Sequence, residues 1–264
     1  MSRAFVFPGQ GAQTIGMGKD LADAYPAARA VFEEVDEALG EALSALIWEG
    51  DLETLTLTKN AQPALMATSI AAMRALEAEG IGVESAAFVA GHSLGEYSAL
   101  CAAGAIGLAD TARLLRIRGT AMQDAVAVGE GAMAAILGLD RAAVDTLVAK
   151  AAEGAPLSAA NDNDPAQVVI SGAKAAVDRA VGMAKEHGAK RALPLPVSAP
   201  FHCEMMAPAV PVMADALSHV DIADPKVPVV SNVCAHGVSD ATVIRNYLLD
   251  QITGVVRWRE SVAW

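Results

Sequence analysis

Short apolar runs of strand length alternate along this chain with longer stretches whose apolar positions recur at helical spacing. Ala4-Phe5-Val6-Phe7 is an apolar run stopped by Pro8-Gly9, and it predicts a buried first strand. Residues 20–47 place Leu21, Ala24, Ala28, Val31, Phe32, Val35 and Leu39 three and four apart, the spacing of one helical face. Gln62 to Glu79 predicts a second helix, with Pro63 in its first turn and Gly80 just past its end. Ala86 to Ala90 has strand character, followed by a glycine-bracketed turn and a helical run from Glu96 to Ala103. Asp110 to Ala125 continues as another helix. This alternation is the signature of an α/β fold.

The rhythm changes after residue 128. Ala132–Leu137 predicts a strand, Arg141–Ala152 a helix, Leu157–Ala160 and Gln167–Ser171 two strands, Ala173–Glu186 a helix and Arg191–Leu195 a strand. The order β-α-β-β-α-β is the ferredoxin-like pattern. Gly129/Gly131 and Pro194/Pro196 punctuate its two ends. The predicted organisation is therefore a small subdomain over 129–196, inserted into a larger α/β subdomain formed by 1–128 and 197–264. Val227–Val230 reads as a return to the larger sheet. No repeat of solenoid period and no low-complexity tract interrupts the pattern.

Composition narrows the class. Hydrophobic types make up 53% of the 264 residues, so the chain has ample apolar surface to bury against the entropy of folding. Much of that fraction is alanine, and no run approaches the roughly 18 uninterrupted apolar residues of a membrane span. The start runs straight into the first strand without a signal-peptide layout, and Cys101, Cys203 and Cys234 form an odd, scattered set. Both features favour reduced thiols in the cytoplasm. Nineteen basic against thirty-one acidic residues give a net charge of −12, which argues against nucleic acid as a partner. With 4% aromatic residues, base-stacking platforms are not expected either.

The chemistry centres on Gly91-His92-Ser93-Leu94-Gly95. A strand before it and a helix after it supply the setting of a nucleophile elbow, with Ser93 held exposed on a turn too sharp for bulky neighbours. At a helix N-terminus, unpaired N–H groups favour a negatively charged oxygen. A serine hydroxyl also needs a base. His92, His187, His202, His219 and His236 are the candidates, and His202 stands out because Phe201-His202 lies in a proline-marked loop after the inserted subdomain. No acid completes a triad by position. Asp162 and Asp164 precede His202 but fall within the small subdomain, and a backbone carbonyl could orient the ring instead. In Phe7-Pro8-Gly9-Gln10-Gly11 the third glycine of a dinucleotide fingerprint is missing, since position 14 is Thr14. A glycine-flanked Gln10 at a strand end suits an oxyanion contributor through its backbone N–H. Histidines and cysteines lack metal-ligand spacing, so no metal is expected.

Phe7-Pro8-Gly9-Gln10-Gly11, Gln62-Pro63-Ala64-Leu65, Gly91-His92-Ser93-Leu94-Gly95-Glu96-Tyr97, Arg118-Gly119, Gln167-Val168-Val169-Ile170-Ser171-Gly172 and Phe201-His202 occur in this order. Together, from about Arg3 to Trp264, the chain resembles the malonyl-CoA:acyl-carrier-protein transacylases of fatty-acid and polyketide synthesis. The resemblance implies an α/β-hydrolase-like large subdomain with an inserted ferredoxin-like small one. It implies Ser93 as acylated nucleophile, His202 as general base and acid, and the N–H groups of Gln10 and Leu94 as oxyanion hole. Arg118, Gln251 and Phe201 match substrate-binding positions of the family, with Gln251 near the histidine and a backbone carbonyl in place of a triad acid.

Physical chemistry alone leaves Arg113, Arg116 and Arg118 equivalent, but it explains why an arginine is wanted. Malonyl differs from acetyl by a carboxylate that a guanidinium can grip through two parallel hydrogen bonds. The Arg-Gly match selects Arg118. The expected substrates are malonyl-CoA and a phosphopantetheinylated acyl carrier protein, with no bound cofactor. The expected partners are the carrier protein and the coenzyme A thioester, with no nucleic acid, no membrane and a monomeric chain. An acidic carrier protein would dock on a local basic patch, for which Arg113/Arg116 and Lys185/Lys190/Arg191 are candidates. A serine hydrolase or thioesterase would use the same Ser–His pair, and a catalytically idle carrier-binding module would keep only the docking charges. Members of the family continue into a further helix and strand beyond the stretch matching Arg257–Val262, and loss of that strand would be expected to expose a sheet edge.

Overall fold

A computed structural model describes residues 3–197 and 199–264, so Met1, Ser2 and Ser198 lie outside the described residues. The strands are β1 (Ala4–Phe7), β2 (Phe88–Gly91), β3 (Gly131–Leu137), β4 (Leu157–Asp164), β5 (Gln167–Ala173), β6 (Arg191–Pro194), β7 (Val229–Val230) and β8 (Gly237–Val238). The chain divides into two compact units. One comprises the residues up to Thr120 with Met213–Ser231 and His236–Asn246, and the other Ala121–Val212 with Asn232–Ala235 and Tyr247–Trp264.

In the first unit the strand order is β1-β2-β7-β8. The first three run parallel, with Phe7 opposite Gly91 and Val89 opposite Val229, and β8 returns antiparallel to β7. Strand β1 differs from the expected buried strand. Among the described residues it has a single neighbour, and its burial alternates, leaving Val6 58% exposed while Phe7 is buried. That is the two-residue period of a strand covered on one face.

The predicted helix over 20–47 is three helices, Lys19–Ala24, Pro26–Leu39 and Leu43–Glu49. Pro26 starts the second and Gly40, at φ 66°, ends it. The helix expected from Gln62 instead runs from Thr58 to Ala78, with Pro63 inside it. Proline has no N–H to donate to the carbonyl four residues back, which here is that of Lys59. Arg116 Nη1 donates to that carbonyl at 2.6 Å, so the group Pro63 leaves unpaired is satisfied by a neighbouring helix. Among the described residues, no helix is long and apolar enough to cross a membrane.

In the second unit the strand order is β4-β5-β3-β6, every neighbouring pair antiparallel. Met133 stands opposite Ser171, and Ala135 opposite both Val169 and Leu193. Helices Arg141–Ala152 and Lys174–Met183 join the strands in the sequence β-α-β-β-α-β, so the ferredoxin-like arrangement is realised as expected. Their apolar sides close a core in which Ala134, Ile136, Leu147, Ile170 and Val177 are all buried. Asp140 caps the first of these helices by accepting from the Ala143 N–H at 2.9 Å.

Candidate active site

The elbow at residues 91–95 is built by two glycines. A Cβ on Gly91 would sit 1.8 Å from the Gly95 carbonyl oxygen, and one on Gly95 would sit 2.5 Å from the Phe7 carbonyl oxygen. Without side chains at both places, strand β2 turns directly into the helix Leu94–Ala102 and the turn lies against the end of β1. Ser93 occupies the apex with φ 54° and ψ −111°, a conformation that costs a non-glycine residue on the order of 1–3 kcal/mol. The Gly95 and Glu96 N–H groups close turns onto the His92 and Ser93 carbonyls.

Arg118 reaches Ser93 from the helix Leu108–Asp124, its Nη2 lying 3.2 Å from Ser93 Oγ. Its side chain is fully buried, and burial pushes the guanidinium below its ordinary value, opposed by the nearby Tyr97 and Glu96. An arginine stays protonated even so. The Tyr97 ring lies 5.5 Å from the guanidinium carbon, giving the cation an aromatic face. Burial in turn raises the Tyr97 phenol to about 12. Gly119 makes the reach possible. A Cβ there would stand 2.6 Å from Lys59 Cα and 2.7 Å from the Thr58 carbonyl oxygen, so the bare glycine lets the two helices touch backbone to backbone.

Arg118 is also held by Gln62, whose Oε1 accepts from Nη1 at 2.7 Å. Gln62 Nε2 donates to Thr58 Oγ1 at 2.9 Å, and that hydroxyl donates to Gln10 Oε1 at 2.9 Å. Gln10 Nε2 reaches the Thr56 carbonyl at 3.4 Å. Thr58 and Gln62 carry side-chain chemistry that the sequence reading did not single out. Their signal was available, since four residues apart on one helix they share a face. Of the other candidate arginines, Arg113 donates to the Ala38 carbonyl and pairs with Asp110. Arg116 pairs with Glu41 and donates to Asn60 Oδ1 at 2.5 Å.

His202 belongs to the second unit. It is buried and also strained, with φ 57°. Its Nδ1 lies 2.8 Å from the backbone carbonyl of Gln251. A carbonyl can only accept, so Nδ1 carries a proton, and Nε2 is the ring nitrogen suited to take one from a nucleophile. Gln251 is itself fully buried, and its side-chain Nε2 donates to Asn232 Oδ1 at 3.4 Å. Asp162 is engaged elsewhere, accepting from Nε and Nη2 of Arg259 at 2.8–3.2 Å. Phe201 is buried beside His202 in the chain. Cys203 donates to the Pro200 carbonyl, and burial holds its thiol above the ordinary value. Cys101, Cys203 and Cys234 form no disulfide among the described residues. Among the described residues no cluster of three His, Cys, Asp or Glu is placed to hold a metal ion.

A family model described as acyl transferase domain matches residues 4–263. The malonyl CoA-acyl carrier protein transacylase of Bacillus subtilis strain 168 is 51% identical over 260 residues, covering 98% of this chain and 81% of that protein. The enzyme of the same name from Escherichia coli K12 is 48% identical over 261 residues, covering 99% and 84%. The crystal structure of an acyl-carrier-protein S-malonyltransferase from Bartonella henselae superposes with a TM-score of 0.98 at 57% identity, over 100% of this chain and 84% of that one. A malonyl-transacylase solved in complex with its type II PKS acyl-carrier protein aligns with a TM-score of 0.96 at 45% identity, covering 100% and 84%. Matched along nearly its whole length, the chain belongs to the acyl transferase family.

Proposed function

We propose that this protein transfers a malonyl group from malonyl-CoA, through an ester on Ser93, to the phosphopantetheine thiol of an acyl carrier protein. One observation carries the reading: a buried guanidinium 3.2 Å from the serine hydroxyl, oriented by the Gln62 amide oxygen. A buried cation beside the nucleophile favours an acyl group that brings its own negative end. On a malonyl ester of Ser93, the free carboxylate lies one methylene beyond the ester carbonyl, within reach of Arg118. Relatives close to half identical carry the corresponding name.

In the first half-reaction, His202 Nε2 takes the Ser93 hydroxyl proton as Oγ attacks the thioester carbonyl. The oxyanion is assigned to the N–H groups of Gln10 and Leu94, the latter at the first residue of the helix after the elbow. The carbon–sulfur bond then breaks and His202 returns its proton to the coenzyme A sulfur. The carrier thiol reverses these steps, attacking the ester while His202 takes its proton and gives it back to Ser93 Oγ. The Gln251 carbonyl fixes the tautomer of His202 throughout, and Phe201 is assigned to bulk beside the acyl α-carbon. Nothing in these steps calls on a metal or a cofactor.

The family resemblance further supports a division into a catalytic subdomain of 1–128 and 197–264 and a small subdomain of 129–196. We place the enzyme in the cytoplasm as a monomer without nucleic-acid or membrane partners. Lys185, Lys190 and Arg191 are exposed and suit the docking of an acidic carrier protein, whereas Arg113 and Arg116 are already paired with acids of their own chain.

Mixing the protein with malonyl-CoA should give a malonyl ester that mass spectrometry maps to Ser93, and adding the carrier protein should move it to the pantetheine thiol. Release of free malonate with no carrier product would establish a hydrolase instead, and absence of any Ser93 ester would leave only a binding module. Arg118→Ala should cut malonyl loading by about 10²–10³-fold, the effect of removing one partner of a buried charge pair.

A further inference from the structure

Four polar side chains of the first unit form one continuous hydrogen-bonded chain, running Arg118 Nη1 to Gln62 Oε1, Gln62 Nε2 to Thr58 Oγ1, and Thr58 Oγ1 to Gln10 Oε1. Its polarity is fully determined. The guanidinium can only donate, so the Gln62 oxygen must face it and the Gln62 amide nitrogen must face Thr58. The Thr58 oxygen therefore accepts from Gln62, and its single proton goes to Gln10. Reversing any one amide or the hydroxyl would set two donors or two acceptors against each other.

Thr58 is the junction of this chain. Its side chain is completely buried at the first residue of the helix Thr58–Ala78, and the 108–124 helix packs onto its backbone at Gly119. On one side it reaches the loop after β1 that carries the Gln10 N–H. On the other it orients the amide that holds Arg118. A serine-bound acyl group would be contacted by both ends, with the oxyanion near Gln10 and the far carboxylate near Arg118. The spacing between those two contacts must match the length of the acyl group to a fraction of an ångström.

We propose that Thr58 is a positioning residue whose hydroxyl locks the Gln10 loop and the Arg118 guanidinium into one unit, setting the distance between oxyanion donor and carboxylate receptor. The proposal rests on the malonyl-transfer reading given above and adds a residue that touches neither substrate nor nucleophile. A buried hydroxyl serving only to fill space would be replaced by valine at no cost to chemistry, since the two side chains have nearly the same shape.

The test is a double-mutant cycle on the single-turnover rate of Ser93 malonylation, using Thr58→Val, Arg118→Ala and the pair, with Thr58→Ser as the conservative variant. Thr58→Val should slow malonylation about tenfold in the wild-type background, the scale of a lost hydrogen bond supporting a charged group. In the Arg118→Ala background it should cost less than about threefold, because most of what it positions is already gone. Thr58→Ser should restore most of the rate. Equal costs in both backgrounds, or a full rate for Thr58→Val with an unchanged thermal midpoint, would overturn the proposal. Should Thr58→Val not fold, Thr58→Ala removes the same hydroxyl without adding a methyl and enters the same cycle. A wild-type protein that takes no malonyl on Ser93 overturns the transfer reading, and this proposal with it. A wild-type protein that loads normally while the Thr58 variants show additive costs overturns this proposal alone.

Discussion

At the scale of single residues, both proposed reacting side chains sit at positive φ, Ser93 at 54° and His202 at 57°. Such backbone strain persists only where the surroundings over-determine it, and it gathers where side chains must be held at angles that ordinary turns do not provide. At Ser93 the surroundings are the two bare glycines of the elbow. Ser93→Gly should therefore raise stability relative to Ser93→Ala by about 1 kcal/mol, since glycine occupies this region without a Cβ penalty and both variants lack the hydroxyl. Urea denaturation of the two variants measures the difference, and a more stable alanine variant would contradict the strain. The serine was legible in the sequence because an elbow needs small residues at fixed places. For His202 the resemblance implied a backbone carbonyl with Gln251 nearby, but not whose carbonyl it is, because every residue type carries one. Only the fold could say that it belongs to Gln251 and that Asp162 is engaged by Arg259.

Among the elements, the contact between the helices Thr58–Ala78 and Leu108–Asp124 decides whether Arg118 reaches Ser93. Gly119 is the point of closest approach, with no room for a Cβ between it and the Lys59 backbone. Gly119→Ala should push the helices apart by several tenths of an ångström, destabilise the protein by about 1–3 kcal/mol as overpacking does, and lower malonyl loading more than that instability explains. Thermal midpoint and single-turnover loading on the same preparation separate the two effects. An alanine variant with native stability and native loading would show that the contact is slack. The same contact explains an error of four residues at a helix start. Proline normally marks a first turn, so the sequence placed Pro63 near the N-terminus. The helix begins earlier because Arg116, from the neighbouring helix, satisfies the carbonyl that Pro63 leaves open. Local propensity could not reveal a partner 53 or more residues away in the chain. The β-α-β-β-α-β segment was readable almost to its boundaries because its helices and strands bury their own apolar faces against one another, so local pattern and tertiary packing agree.

For the molecule as a whole, burial of ionisable groups in the first unit sets how stability responds to alkali. The helix after the elbow carries Tyr97 and Cys101, both buried, and desolvation raises the phenol from 10.0 to about 12 and the thiol from 9.0 to about 11. In the unfolded chain the thiol ionises near its ordinary value, whereas in the native state it stays protonated until the pH nears 11. The native state therefore binds more protons between pH 9 and 11, and the stability this contributes is complete below pH 9 and lost as the pH rises through 11. The net charge of −12 adds self-repulsion that also grows with pH, so a falling stability curve alone would not isolate the thiol. Cys101→Ala does isolate it, because the variant keeps nearly the same charge and the same Tyr97. Between pH 8 and 11 the wild-type protein should lose about 1–3 kcal/mol more than Cys101→Ala, measured by urea denaturation at fixed ionic strength. Parallel curves over that range would mean that the thiol is reached by water in the native state, and that the helix carrying Ser93 at its head is less tightly packed than its buried face implies.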